Sequence, residues 1–379
     1  MTQLIERAQC AVAGMTDLEP LYTFSKFPVF MGCSDRSEGE DLREDMSWWI
    51  SRSSGLIQLK HLIPLEVLYP QSHGAGGVGG LWNLHHQTFA KFLYQVAPSS
   101  VLEIGGAHGI LSKEYQRLAD IDWTIVEPNP EPVEGCKATF IQGFFNDQFS
   151  FGKPVDLVVH SHVFEHIYDS NLFMSHLAAF IRTGKHLVFS IPNMEAMLER
   201  KYTNCINFEH TMFLTEPYVE FLLAKHGFRV SRKQYFLDDH SIFYDVVRDP
   251  EVRPQSLPSG LYKKNRALYQ AYIDYHQALI KNLNRKISDS GRKVYLFGAH
   301  VFAQYLIEFG LHTSEIVCLL DNDPEKHGKR LYGTNLKVNS PKILRDVEAP
   351  IVILKAGVYN EEIKADILEN INPAATFLD

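Results

Sequence analysis

A glycine-rich turn between two apolar runs constrains the fold of this chain more than any other feature. The apolar run 100–104 leads into the turn, a helical segment follows over 110–119, and a second apolar run ends on Glu127. Glycines allow the backbone to turn tightly and to approach a ligand closely. An acid at the end of the second strand can accept hydrogen bonds from both hydroxyls of a ribose. The pattern predicts a βαβ unit that binds a nucleotide.

The glycine spacing in this turn differs from that of dinucleotide-binding proteins. It reads Glu-x-Gly-x-x-x-Gly, starting at Glu103, rather than Gly-x-Gly-x-x-Gly. A carboxylate before the turn suits a cationic ligand better than a pyrophosphate. S-adenosylmethionine carries an ammonium group, a sulfonium and a ribose, and the loop resembles motif I of class I methyltransferases, with Glu127 at their ribose-binding acid. The predicted contacts of this cofactor are Glu103, Gly105, Gly106, Gly109, Glu127, Phe145, Asn146 and Ser161.

The bulk composition excludes several classes of protein. The chain has 379 residues, enough for two or three domains, and a net charge of −8 with no basic stripe, so no nucleic-acid partner is expected. No apolar run approaches the ~18 residues that span a bilayer. Five scattered cysteines and an N-terminus without a signal peptide predict reduced thiols and a cytoplasmic protein. The oligomeric state stays open.

Strands and helices are predicted to alternate from residue 100 onward. Alternation of this kind indicates an α/β domain with a mostly parallel sheet covered by helices on both faces. The strand predictions are 100–104, 123–127, 138–142, 155–160, 186–191 and 241–247, and the helix predictions are 82–96, 110–119, 171–182 and 217–227. Before residue 76 few periodic signals occur, and 35–45 reads as a charged loop.

The pattern restarts after a proline-containing connection over 250–260. A long polar helix is predicted over 261–287, and a second, smaller Rossmann-like unit follows, with strands at 293–299, 315–321 and 350–355. We therefore expect a small N-terminal lobe, a central Rossmann-like methyltransferase domain and a C-terminal second Rossmann-like domain. The expected boundaries are 1–75, 76–250 and 251–379.

Two histidine–glutamate pairs follow the fourth and fifth strands of the predicted central sheet. The first pair ends the segment 160–166, at His166, and the second is Glu209 with His210. Ligands of open α/β sheets bind outside the carboxyl ends of the strands. A carboxylate beside an imidazole can hold the ring in one tautomer and raise its basicity. His210, oriented by Glu209, is the predicted general base.

The order of these motifs resembles the nucleotide-sugar C-methyltransferases over nearly the whole chain. The C-terminal segments 295–299, 321–328 and 332–334 carry much of the resemblance, together with 55–59 and 82–85 near the N-terminus. The resemblance implies a nucleotide-linked 4-keto-6-deoxy sugar as substrate and its C3 carbon as the methyl acceptor. Deoxysugar biosynthesis is the implied role.

Two positions depart from that family. Its N-terminal domain holds zinc with two Cys-x-x-Cys pairs, and here the pairs read Cys10 with Ala13 and Ser51 with Ser54. Serine hydroxyls are poor zinc ligands, so we predict no metal and expect apolar packing to hold the lobe. A tyrosine of the family's second loop is replaced by Asn207, which can donate a hydrogen bond to an enolate oxygen but cannot relay a proton as a phenol can.

The implied mechanism is methylation through an enolate. His210 removes the proton next to the ketone, and Asn207, together with His166 or His73, hydrogen-bonds the enolate oxygen. The glycine-rich segment 74–80 is a candidate lid. The predicted substrate contacts are His73 and His85 and, for the nucleotide end, Gly298 and His300.

Three other functions stay open at this stage. A sugar O-methyltransferase could use the same base on a hydroxyl. The two Rossmann-like units suggest an NAD(P)-dependent oxidoreductase, although neither loop has the full dinucleotide pattern. The lost thiolates and Asn207 are compatible with a non-catalytic protein that binds nucleotide sugars.

Overall fold

The computed structural model describes residues 3–69 and 79–378. The strands, in chain order, are β1 (Ile5–Glu6), β2 (Leu18–Pro28), β3 (Cys33–Ser34), β4 (Arg43–Ser51), β5 (Ile57–Leu59), β6 (His61–Leu62), β7 (Ser100–Ile104), β8 (Asp122–Glu127), β9 (Thr139–Gln142), β10 (Leu157–Ser161), β11 (His186–Pro192), β12 (Phe228–Phe236), β13 (Ser241–Arg248), β14 (Val294–Phe297), β15 (Ile316–Leu320), β16 (Arg330–Leu331), β17 (Val338–Asn339), β18 (Ile351–Leu354) and β19 (Thr376–Leu378). The α-helices are α1 (Leu65–Leu68), α2 (Gly80–Tyr94), α3 (Ile110–Tyr115), α4 (Ser170–Phe180), α5 (Met194–Glu199), α6 (Glu216–Lys225), α7 (Leu261–Ser290), α8 (Val301–Glu308) and α9 (Asn360–Asp366).

The chain folds into two compact units that interleave along the sequence. Within the described residues, the first unit is built from 3–19, 50–69, 79–197 and 209–263, and the second from 20–49, 198–208 and 264–378. The sequence instead predicts three consecutive domains that meet near residues 75 and 250. The division into three consecutive domains stays a prediction, because each compact unit combines segments that lie far apart in the sequence.

A seven-stranded sheet forms the centre of the first unit, in the order β12-β13-β11-β10-β7-β8-β9. β7 to β11 pair in parallel, whereas β13 runs antiparallel to β11 and β12 antiparallel to β13. The predicted mostly parallel sheet is confirmed. β12 had no strand prediction; it lies at the sheet edge, and its sequence is largely polar and partly exposed.

Buried apolar runs explain why these strands form. Val101 of β7, Leu157 and Val159 of β10 and Val188 of β11 belong to one core cluster, which α2 covers with Phe89 and other aromatic residues. Strands buried on both faces are expected to be nearly continuous apolar runs. α4 begins where the Asp169 side chain caps it by accepting a hydrogen bond from the backbone N–H of Leu172 at 2.9 Å.

The second unit contains a five-stranded parallel sheet in the order β17-β15-β14-β18-β19. Its central strand β14 sends alternate side chains to opposite faces. Val294 and Leu296 join the cluster that includes α7 residues, whereas Tyr295 and Phe297 join the cluster on the other face. The predicted second Rossmann-like sheet is thus present.

The N-terminal segment 20–49 contributes to this second unit. β4 has buried Met46 and Trp48 at alternate positions, a strand pattern that the charged residues before it obscure in the sequence. The Arg330 guanidinium forms a two-point ion pair with Asp41, at 2.6 Å and 2.7 Å between nitrogens and carboxylate oxygens. Both side chains are buried, with exposed fractions of 4% and 1%.

Two matched turns occupy the positions that the sequence resemblance compares with zinc-binding cysteine pairs. The Cys10 sulfur accepts a hydrogen bond from the N–H of Ala13 at 3.3 Å, and the Ser51 hydroxyl accepts one from the N–H of Ser54 at 3.2 Å. Cys10 Sγ and Ser54 Oγ lie 3.2 Å apart, which joins the two turns. Hydrogen bonds therefore hold these turns together, in addition to the apolar packing that the sequence predicts.

Candidate active site

The glycine-rich turn follows β7 at the carboxyl edge of the seven-stranded sheet. Gly105 and Gly109 have φ values of +69° and +70°, which disfavour residues with a side chain. A Cβ atom on Gly106 would lie 2.7 Å from Cδ of Glu103 and 2.8 Å from Cγ2 of Ile125. The glycines are therefore required by the packing beneath the loop, a reason that the sequence pattern does not reveal.

Glu103 is placed beneath the loop rather than facing a ligand. Its side chain is buried, and its Oε2 accepts a hydrogen bond from Nε1 of Trp123 at 2.8 Å. Burial raises the pKa of the Glu103 carboxyl to about 7. The prediction that this carboxylate faces a cationic ligand is corrected, because the side chain supports the glycine turn from within the core.

Glu127 closes the loop at the end of β8. One carboxylate oxygen accepts from the N–H of Ala107 at 3.1 Å and the other from the N–H of Asn129 at 3.1 Å. Each oxygen has a further lone pair, so both can accept additional hydrogen bonds. The residue is partly exposed at the position that the sequence predicts for ribose binding.

Three further predicted cofactor contacts lie on loops of the same unit. Ser161 ends β10 and is partly exposed. Phe145 packs against Phe149 and Phe180, with ring centroids 5.4 Å and 5.5 Å apart, whereas Asn146 is exposed. Their contact with a cofactor remains a prediction.

The two predicted histidine–glutamate pairs meet at this edge. The His166 and His210 rings pack edge to face, with centroids 4.7 Å apart. Nδ1 of His166 lies 4.0 Å from Oε2 of Glu209 and 2.9 Å from the hydroxyl of Tyr69. All the elements of an acid–base site are therefore present within one unit, and the side chains of His166 and Glu209 are 26% and 13% exposed.

Tyr69 and Glu165 belong to this cluster, and sequence reasoning assigned neither of them a role. Burial raises the pKa of Tyr69 well above its ordinary value, so the phenol keeps its proton. Glu165 is fully buried, and one of its oxygens lies 3.0 Å from Nδ1 of His162. Burial alone would raise the pKa of Glu165, but His162, with smaller effects of His166 and His210, lowers it to about 2.

Other predicted site residues lie elsewhere. Asn207 is buried in the second unit, with 3% of its surface exposed. His73 and most of the candidate lid 74–80 lie outside the described residues. His85 is fully buried on α2, where its Nε2 lies 3.0 Å from the Ser190 hydroxyl, so its predicted direct contact with substrate is corrected.

The loop of the second unit repeats the arrangement of the first. Gly298 has a φ of +98°, and its backbone N–H donates to the carbonyl oxygen of Leu320 at 2.8 Å. The N–H of Ala299 donates to Asp321 at 2.9 Å, and that of His300 donates back to Gly298. Because these three donors already have acceptors, the backbone of this loop does not supply the nucleotide contacts that we expected; the His300 side chain is exposed.

No helix in the described part of the chain combines the length and apolarity needed to cross a bilayer.

Two family models match the chain. Residues 83–233 match a methyltransferase domain. Residues 261–377 match a C-methyltransferase C-terminal domain. No curated protein matches the chain.

Several solved structures are similar to part of the chain. An O-methyltransferase family protein from Burkholderia thailandensis is 12% identical with a TM-score of 0.36, over 45% of this chain and 57% of that one, less than two thirds of its length. Magnesium protoporphyrin IX methyltransferase from Synechocystis PCC 6803, with bound SAH, is 18% identical with a TM-score of 0.36, over 46% and 89%. The N-methyltransferase NodS from Bradyrhizobium japonicum WM9, with bound SAH, is 17% identical with the same TM-score, over 46% and 89%.

The methyltransferase match over 83–233 and the mostly parallel seven-stranded sheet together confirm the predicted methyltransferase fold of the first unit. The methyltransferase match spans the glycine turn, Glu127 and both histidine–glutamate pairs, and the second match covers the smaller parallel sheet. The chain therefore contains a methyltransferase domain over 83–233, followed by a C-methyltransferase C-terminal domain over 261–377.

Proposed function

We propose that the enzyme transfers a methyl group from S-adenosylmethionine to a carbon atom of a nucleotide-linked 4-keto-deoxy sugar. The observation that carries this proposal is the grouping of Tyr69, His166, Glu209 and His210 at the carboxyl edge of the sheet that also bears the glycine turn. The C-methyltransferase C-terminal match supports carbon rather than oxygen as the acceptor.

The loops after β7 and β8 suit the methyl donor. The left-handed backbone at Gly105 and Gly109 shapes a tight turn, and Glu127 keeps lone pairs for the ribose hydroxyls. The bound donor supplies a methyl group on a positively charged sulfur. We assign Glu103 to positioning the turn, since its carboxyl contacts Trp123.

The histidine pair suits proton abstraction next to a ketone. A carbonyl at C4 acidifies the hydrogen on the neighbouring carbon, and His210 removes that proton as general base. The neutral phenol of Tyr69 then donates a hydrogen bond to the His166 ring, and these two groups stabilise the charge that develops on the sugar oxygen. Tyr69 thereby supplies the phenol that the family has at the position of Asn207.

The second unit would hold the nucleotide end of the substrate. Since the backbone donors of 298–300 are engaged, we assign this contact to the exposed His300 side chain. None of the five cysteines, all of which lie in the described part of the chain, forms a disulfide, and we propose that the enzyme works in the reducing cytoplasm.

The proposal is tested with His210→Ala in an assay of methyl transfer to a nucleotide-linked 4-keto sugar. We expect a loss of about 10²- to 10⁴-fold in kcat, with the affinity for S-adenosylmethionine unchanged by calorimetry. His312→Ala, an exposed histidine of the second unit, is the control. A parental rate in His210→Ala would show that the base is another group.

Carbon and oxygen acceptors are separated by isotope exchange. In deuterated water with S-adenosylhomocysteine in place of the donor, the wild type should exchange the hydrogen next to the ketone, and His210→Ala should not. Methylated product without exchange would favour a sugar O-methyltransferase. A wild type that does not bind the donor would indicate a binding protein without catalysis.

A further inference from the structure

Three histidines from separate segments meet within the first unit. His85 lies on α2, His162 follows β10, and His240 directly precedes β13. One nitrogen of each ring can be chosen so that all three lie within 4.8 Å of one another. The ring centroids are 5.3 Å, 5.5 Å and 6.2 Å apart. Imidazoles that bind one tetrahedral zinc at about 2.0 Å have centroids roughly 5 Å apart, so small side-chain movements would complete such a site.

The fold holds these rings in place with little exposure to solvent. His85 and His240 are 0% and 5% exposed, and Trp82 packs against all three rings at centroid distances of 5.0 Å to 5.2 Å. His162 has a φ of +53°, a left-handed backbone that residues with a side chain rarely adopt. Backbone strain of this kind tends to occur at functional sites, where the surrounding structure enforces it.

One ring nitrogen of the cluster lacks a partner. Nδ1 of His85 is buried and has no hydrogen-bond partner among the residues that the structure describes. A buried polar atom without a partner is costly and calls for an ion, a water molecule or another explanation. A metal ion bound by His85 would remove that cost, because the ring can turn to present either nitrogen.

The neighbouring polar groups are those of a metal site's outer layer. Glu165 Oε1 lies 3.0 Å from Nδ1 of His162, so a buried carboxylate adjoins this imidazole. The Ser241 hydroxyl lies 2.9 Å from Nε2 of His162 and 2.7 Å from Nδ1 of His240. The Ser241 hydroxyl has one proton and can donate it to only one of these two nitrogens. A rotation of the Ser241 side chain would leave both nitrogens available to a metal ion.

We propose that His85, His162 and His240 bind one zinc ion, with water as the fourth ligand. Three neutral imidazoles and one open position are a recurring zinc set. The site is separate from the degenerate Cys10 and Ser54 turns, where the sequence excludes a tetrahedral thiolate site. The choice of this site over a neighbouring group of ligands rests on the proposed role of His210 as the base.

A second group of candidate ligands in the described residues is Glu165, His166 and His210. We do not assign the metal there, because coordination would occupy the ring nitrogen that His210 needs as a base. The two possible metal sites differ in which variants should lose the metal: variants of His85 and His240 for the first, and His210→Ala for the second. The experiment uses this difference.

The experiment is metal binding by the full chain after dialysis against a chelator. Titration with Zn²⁺ by calorimetry, and with Co²⁺ followed by visible absorption, should give one equivalent, with a tetrahedral cobalt spectrum. His85→Phe and His240→Phe, which keep ring volume, should each weaken binding by more than about 10²-fold, the upper range seen when only an outer partner is lost. His210→Ala and the exposed His312→Ala should bind as the wild type does.

Two further measurements keep the outcome clear if a variant folds poorly. Ser241→Ala keeps all three imidazoles and should retain the cobalt spectrum. Excess Zn²⁺ should raise the Tm of the wild type and of His210→Ala, because binding to the folded state alone stabilises it. The proposal is overturned if the wild type binds no metal, if His85→Phe and His240→Phe bind unchanged, or if His210→Ala loses the metal.

Discussion

The hydroxyl of Tyr69 lies 2.9 Å from Nδ1 of His166, so a partly buried phenol and a partly exposed imidazole form one hydrogen-bonded pair beside His210. Because Tyr69 keeps its proton, we expect it to stabilise a developing enolate through His166. Tyr69→Phe should lower kcat for methyl transfer by about 10²-fold, the typical effect of losing one such donor, while donor affinity stays unchanged. Tyr94→Phe, an exposed residue of α2, is the matched control. Equal rates for the two variants would remove Tyr69 from the mechanism.

Glu165 lies between the two histidine groups, facing His162 on one side and His166 with His210 on the other. Glu165→Gln keeps the shape of the side chain and removes its charge, so the neighbouring imidazoles lose the negative charge that stabilises their protonated forms. We expect kcat to fall by about 10²-fold with little change in donor affinity. Glu131→Gln, an exposed carboxylate, should have the parental rate. A parental rate for Glu165→Gln would limit Glu165 to a packing role.

Glu103 should make stability depend on pH. Its pKa is raised to about 7 in the folded chain, from 4.5 as the ordinary value, so its contribution to stability is present below pH 4.5 and is lost as the pH rises through 7. Glu103→Gln cannot ionise and still accepts from Trp123. We compare the unfolding free energy of the variant with that of the wild type at each pH. This difference should change by on the order of 3 kcal/mol in favour of the variant from pH 4.5 to pH 8. Urea unfolding at both pH values measures this, and a difference that does not vary with pH would contradict it.

The two matched turns at Cys10 and Ser51 should regain zinc when their thiols are restored. The triple variant Ala13→Cys, Ser51→Cys, Ser54→Cys places four thiols on turns that already lie 3.2 Å apart at Cys10 and Ser54. We expect one additional equivalent of zinc per chain by elemental analysis and a higher Tm. The double variant Ala13→Cys, Ser51→Cys, with three thiols, should bind more weakly. Equal zinc content in the triple variant and the wild type would show that the turns are held too far apart.

Strong periodic signals made much of the fold predictable. β7 is predicted and observed over 100–104, and the long helix predicted over 261–287 is α7. Strand order alone predicts one common sheet edge for Glu127, His166 and His210, because the carboxyl ends of parallel strands lie on the same side.

Tertiary packing decided what the sequence could not reveal. Glu103 directly precedes the glycine-rich turn, yet its carboxyl accepts a hydrogen bond in the core from Trp123, twenty positions later. Tyr69 is separated from His166 by 97 positions, and no spacing rule links them. β4 and β12 carry charges or polar residues that mask their alternation, so they had no strand prediction.

The ion pair of Arg330 and Asp41 limits how this enzyme can be divided for experiments. A fragment that starts after residue 250 would keep the buried guanidinium and discard its carboxylate, and removing one partner of a buried pair costs about 3–5 kcal/mol. Expression of the C-terminal Rossmann-like part alone should therefore yield aggregates. A soluble fragment would need residues 20–49 fused to the C-terminal part. In the full chain, this early segment cannot complete its fold until the last third of the polypeptide has been synthesised.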